Sequence, residues 1–135
     1  MADTVTSTVL EHDLNRYVLR LTNICDGTGE SGVIKADKSE IDIFGESPAV
    51  DVGHMAIERI RGQIYGFTYV RLYWDHTADD LAAALVPGQI DLDWREFKGI
   101  HDPQSAGGTG DLLLTTAGNT ANDTYDLTIE MRLYK

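Results

Sequence analysis

The chain has 135 residues, 42% of them apolar, and its 22 acidic against 11 basic side chains give a net charge of −11. That length fits one domain, 1–135, whose core needs neither disulfide nor metal. The charge argues against nucleic acid and anionic lipid as partners, and no apolar run nears the roughly 20 residues that cross a bilayer.

Residues 1–8 carry neither the basic nor the apolar region of a secretory signal. A single cysteine, Cys25, allows no internal disulfide. Both features predict synthesis in a reducing cytoplasm. Residues 4–11, rich in Thr and Val, predict a strand or an extended arm within residues 1–11. A turn at 13–15 leads to a strand over 16–25, with Tyr17, Leu19 and Leu21 on one face and Arg20 and Thr22 on the other. A glycine loop at 26–32 precedes a short strand at 33–36. Residues 37–53 read as a long connection carrying Gly45, Pro48 and the segment Ile41-Asp42-Ile43-Phe44. The Asn122-Asp123-Thr124 sequon reads as a turn.

Residues 55–65 predict a strand whose alternation is broken at Arg59 and Arg61, with Gly62 marking a bulge. Gly66 then turns the chain into 67–75, where Val70, Leu72 and Trp74 face one way and Tyr69, Arg71 and Tyr73 the other; the two segments predict a hairpin. Residues 79–86 suit a short helix or a strand before Pro87-Gly88. A strand over 90–97 and a glycine loop at Gly107, Gly108 and Gly110 follow. Residues 111–117 and 125–134 predict a closing pair joined by 118–123. In the last segment Tyr125, Leu127, Ile129, Met131 and Leu133 alternate with Asp126, Thr128, Glu130 and Arg132, the pattern of a half-buried strand. About eight strands, and no helix beyond ten residues, predict an all-β fold: an antiparallel β-sandwich, jelly-roll-like.

Chemistry-bearing patterns are weak. Gly27, Gly29 and Gly32 have dinucleotide-loop spacing, but that mechanism needs a helix N-terminus on the pyrophosphate. Here a strand follows, and Glu30 adds negative charge. His12, His54, His76 and His101 stand in different segments without the i, i+4 spacing of a helical zinc site; they read as surface histidines, with convergence in the fold left open. The acidic groups at 75–80 and 91–96 lack the order of a calcium loop. Trp74 and Trp94 with nearby carboxylates outline an alternative, a carbohydrate-binding or glycan-cleaving module, although Trp74 falls on the core register. Cys25 reads as inert. The sequence therefore assigns no catalytic residue, no cofactor and no metal. Tyr65, Phe67, Tyr69, Arg71 and Tyr73 form an aromatic group that suits either an interface centre or packing beneath a connection.

Residues 23–31 (Asn-Ile-Cys-Asp-Gly-Thr-Gly-Glu-Ser), residues 67–75 (Phe-Thr-Tyr-Val-Arg-Leu-Tyr-Trp-Asp), residues 108–118 and the alternating last strand resemble the capsid cement or decoration proteins of short-tailed bacteriophages. The likeness runs over most of the chain from about residue 3. It implies a jelly-roll-like sandwich without catalysis, bound to the outer surface of a virion head. Its partners would be the major capsid protein and a second copy of itself, as a homodimer at two-fold or local two-fold positions. A neck or tail position in the same virion is the variant. Pairing to a neighbour's sheet edge would then fall to the arm at Thr4, Val5, Thr6, Val9 and Leu10, and to the last strand, with its polar face at Asp126, Thr128, Glu130 and Arg132.

Overall fold

The computed structural model describes residues 3–13, 15–43 and 50–134. Residues 1–2 of the expected arm, Leu14 of the expected turn, and Phe44, Gly45 and Pro48 of the expected connection lie outside them. Twelve strands occur among the described residues: β1 (Thr4–Asp13), β2 (Arg16–Ile24), β3 (Val33–Ala36), β4 (Asp42–Ile43), β5 (Val50–Asp51), β6 (His54–Tyr65), β7 (Tyr69–Trp74), β8 (Asp80–Leu85), β9 (Gly88–Asp93), β10 (Ile100–His101), β11 (Leu112–Ala117) and β12 (Thr124–Tyr134). Two single turns of 3₁₀ helix, Lys38–Glu40 and Arg95–Phe97, are the only helical elements among them.

One sheet runs β1-β2-β12-β6, with β9 and β10 taking successive stretches of the far edge of β6. The other runs β3-β11-β7-β8, and β4 with β5 makes a small ribbon. The connections β2 to β3, β6 to β7, β8 to β9 and β11 to β12 each cross from one sheet to the other. Eight strands joined in this order form a jelly roll, and β1 is an added strand at its rim. The all-β sandwich read from the sequence is the fold.

The core lies between the sheets. Leu19, Leu21, Ile57, Ile60, Leu127, Ile129 and Met131 from the first sheet meet Val70, Leu72, Trp74, Leu85, Leu112 and Leu114 from the second, all at most 2% exposed. Each such side chain contributes roughly 1.5–3 kcal/mol by leaving water. The alternation in β7 and β12 puts each side chain on its expected face.

Strand pairing differs from expectation in two places. The segments around Gly66 are not a hairpin: β6 and β7 belong to different sheets. Three extended residues reach roughly 10 Å, the spacing of stacked sheets, so residues 66–68 can carry the chain across, with Phe67 fully buried on the way. Likewise β11 pairs with β3 and β7, while β12 pairs with β2 and β6, so 118–123 is a second crossover rather than the turn of a closing pair. Since β12 is flanked on both sides, it offers no free edge to a neighbour, contrary to the expectation for the last strand.

The bulge in β6 sits at Glu58, where the register against β12 slips between Glu130 and Met131. Gly62 is regular in register. Its φ of 146° and a collision that any Cβ would make with the Asp126 carbonyl explain the glycine. Residues 80–85 resolve as a strand, and a register slip against Leu72 and Tyr73 turns both Ala82 and Ala83 inward. The strand expected over 90–97 is β9 followed by a 3₁₀ turn.

Candidate functional site

The ten-residue strand β1 is paired with β2 along one edge, and no described strand pairs with the other. Residues 4–11 are exposed on both faces. Cross-strand register places Val5, Ser7 and Val9 on the face shared with Leu19 and Leu21. That face would be core if the second sheet extended beneath it, but the second sheet ends at β3. The edge of β3 is open too, with Val33 and Ile34 exposed. Between the two rims runs a groove of about 390 Å³ lined by Ser7, Tyr17, Ile34, Lys35 and Glu40. The β-branched residues of β1 suit a strand, and its outer side is a long edge, carrying Val5, Val9 and Leu10, of the kind that proteins cover or blunt.

Side-chain bonds and a bulge fix β1 against β2. The Thr6 and Thr22 hydroxyls bond across the strands. A bulge at Leu10 shifts the register between Val9 and Glu11. Below them, the Asp3 carboxylate accepts bonds from Asn23 Nδ2 at 3.0 Å, the Asp26 amide at 3.1 Å and the Gly29 amide at 3.2 Å. Burial pushes the Asp3 carboxyl up, but these bonds outweigh it and hold its pKa at about 2.

Thr4, Val5, Thr6, Val9 and Leu10 therefore stand together on the open rim, with Val9 49% and Leu10 54% exposed. The aromatic group disperses. Tyr65 is exposed, whereas Tyr69, Arg71 and Tyr73 are half-buried, with the Arg71 guanidinium 3.8 Å above the Tyr69 ring. Phe67 is withdrawn into the core 6.0 Å from the Tyr125 ring, so it presents nothing to a partner. On the polar face of β12, Asp126 pairs with Arg20 at 2.8 Å, and buried Glu130 pairs with Arg16 at 2.5 Å and Arg61 at 3.3 Å. Arg132 reaches Glu58 at 3.4 Å, and Thr128 lies half-buried among them. Arg20 holds the Asp126 carboxyl below its usual range. These charges are matched within their own sheet. They border an open cleft of about 420 Å³ with Arg20, Arg61, Asp126 and Thr128 in its walls.

The sugar-stacking pair does not form. Trp74 is fully buried and Trp94 packs partly against the core.

The histidines partly converge at one end of the sandwich. His54 Nε2 lies 3.2 Å from His101 Nδ1, and the Tyr134 ring stacks on His54 at 4.7 Å. His76 is buried, with Nδ1 2.9 Å from the Gly107 carbonyl oxygen and Nε2 2.6 Å from Asp102 Oδ1. Asp80 Oδ2 stands 3.9 Å from the same Nε2. The glycine loop makes this fit: Gly107 and Gly108 have φ of 76° and 66°, and a Cβ on either would collide with Thr77 or with the backbone of Asp75 and His76. Sequence reading did not join these groups. The available signal was a His-Asp neighbour at two strand ends, Asp75-His76 after β7 and His101-Asp102 at β10. His12 packs edge-on against Tyr17 at 5.1 Å, far along the chain from this group.

The chain matches no protein family, no curated protein and no solved structure.

Proposed function

We propose that this chain is a non-enzymatic structural protein of a tailed-phage virion that binds the outer surface of the head and cements neighbouring capsomers. The observation that carries the reading is β1, a ten-residue strand exposed on both faces with an open edge. A strand with so little core to bury favours a partner that completes its hydrogen bonds and covers Val5, Val9 and Leu10. The resemblance of residues 23–31, 67–75 and 108–118 to capsid cement proteins supports the major capsid protein and a second copy of this chain as those partners. A net charge of −11 suits an outward-facing position away from packaged DNA. Many copies, each covering modest area, would add up to a stiffer shell.

The test is reconstitution. Heads lacking this chain are mixed with purified wild type or with Val5→Lys/Val9→Lys and heated or diluted into low salt. Wild type should raise the rupture temperature, and the variant should fail to be retained. Rupture unaffected by wild type, or labelling confined to the tail, overturns the reading.

A further inference from the structure

At one end of the sandwich two loops from opposite sheets are locked together. The chain leaving β7 carries His76, and β8 begins at Asp80. Asp102 follows β10 and is held by its amide to the Met55 carbonyl at 3.0 Å, in the other sheet. The glycine loop closes over both: Thr77 N reaches Ala106 O at 3.1 Å, Gly110 N reaches Asp75 O at 2.9 Å, and Thr109 Oγ1 reaches Asp75 Oδ2 at 2.8 Å.

Inside this clamp the polar groups do not balance. Asp102, with a side chain 1% exposed, accepts at Oδ1 from the Gln104 amide at 2.9 Å and faces His76 there, but its Oδ2 has no hydrogen-bond partner. Asp80 Oδ2 is also buried and unpartnered. The Lys38 ammonium, which borders the same Gly110 position as Asp102, bonds the Gly53 carbonyl at 3.1 Å and makes no ion pair with either carboxylate. One buried carboxylate, Asp102, and a second that is 32% exposed, Asp80, share one imidazole and leave charge unmatched, an arrangement that proteins usually resolve with another cation.

The donors have the spacing such a cation needs. One ligand atom from each of His76, Asp80 and Asp102 lies within 4.8 Å of the others. Metal–ligand bonds of 2.0–2.2 Å imply ligand separations of roughly 3–3.5 Å, between the observed 2.6 and 3.9 Å. The Gly107 carbonyl fixes the proton on Nδ1 and leaves Nε2 directed at the carboxylates, the usual orientation of a ligating histidine. An ion would replace the proton that Nε2 otherwise shares with Asp102. One imidazole nitrogen with carboxylate oxygens suits a first-row divalent ion over calcium or magnesium, which favour all-oxygen sites.

We propose that His76, Asp80 and Asp102 form a binding site for a divalent transition ion, Zn²⁺ or Mn²⁺, that staples the β7–β8 loop of one sheet to β10 of the other.

Chelator-stripped full-length chain at pH 8 is titrated with Zn²⁺ and, separately, Mn²⁺. Bound metal is counted by mass spectrometry and stability followed by thermal melting. One of the two should bind at one equivalent and raise Tm by roughly 5–10 °C once free metal is about 100-fold above Kd. Asp80→Asn, at the rim of the cluster, should keep the far-ultraviolet circular dichroism of wild type and weaken binding at least tenfold. Asp102→Asn should do the same or more, and Asp80→Asn keeps the test decisive if the buried change unfolds the chain. No stoichiometric binding by wild type overturns the proposal. So does binding that survives Asp80→Asn and Asp102→Asn but is lost in His54→Ala/His101→Ala, which would move the ion to the exposed histidine pair.

Discussion

Lys35 Nζ meets Glu30 Oε2 at 2.5 Å inside the sandwich, with the two side chains 3% and 4% exposed. Glu30 also accepts at Oε1 from the Tyr125 hydroxyl at 2.5 Å and Asn23 Nδ2 at 2.7 Å; its amide donates to Thr116 Oγ1 and its carbonyl accepts from the Thr116 amide, each at 2.9 Å. Asn23 and Tyr125 belong to one sheet, Lys35 and Thr116 to the other, so a single carboxylate between β2 and β3 ties both together. Burial, reinforced by Glu30, drives the Tyr125 phenol far above its ordinary pKa, which keeps it a donor.

Removing one partner of that pair strands the other. Lys35→Met should lower stability by about 3–5 kcal/mol, read as a fall in the urea midpoint at unchanged slope. A loss below about 1 kcal/mol would show that Glu30 is not held as a buried charge.

Gly62→Ala should be far more damaging than Gly88→Ala. Both glycines have positive φ, 146° and 123°, so both substitutions carry backbone strain of about 1–3 kcal/mol. Only at Gly62 does the new methyl meet a fixed carbonyl, that of Asp126 in the neighbouring strand, whereas nothing lies within 4 Å at Gly88. Equal denaturation midpoints for the two variants would contradict this close approach of β6 and β12.

Asp3 gives β1 an acid-sensitive anchor. Its folded pKa of about 2 lies below the ordinary 3.8, so its contribution to stability is fully present above pH 4 and fades as pH falls through 2. The difference in urea midpoint between wild type and Asp3→Ala should be constant from pH 7 to pH 5 and shrink steadily below pH 4. A difference that persists at pH 2 would assign the effect to packing rather than charge.

On the open rim, Val9→Lys should leave the urea midpoint within about 0.5 kcal/mol of wild type, because Val9 is already half in water. If β1 is the proposed capsid-binding edge, the same change reduces retention on capsids. A large stability loss would mean that the strand is covered within the isolated chain.

Faces were legible in the sequence, and partners were not. Val70, Leu72 and Trp74, like the apolar positions of β12, announce their burial because a period of two reports which side of a strand is apolar. The same period is silent on which strand lies alongside. Gly66 and Gly118 look like hairpin turns, yet both lead between sheets, since a short extended link serves either geometry. The slip at Glu58 is marked by the alternation that breaks at Arg59, yet the sequence points to Gly62 for the bulge, and Gly62 is instead a close approach that only the path of Asp126 explains. His76 and Asp102 are 26 residues apart and meet because β7 and β10 end at the same pole of the sandwich. That proximity belongs to topology, so residue spacing could not disclose it, whereas the rim residues of β1 were visible in composition alone.

The central place of β12 sets the order in which the molecule can be made. It emerges from the ribosome after every other strand of the sandwich, yet it is the strand that joins β2 to β6. Until it inserts, two apolar edges stay unpaired in the nascent chain, and the first sheet exists only as halves. Completion of the first sheet therefore waits on β12, and the interval before it arrives is when the chain is most exposed to mispairing.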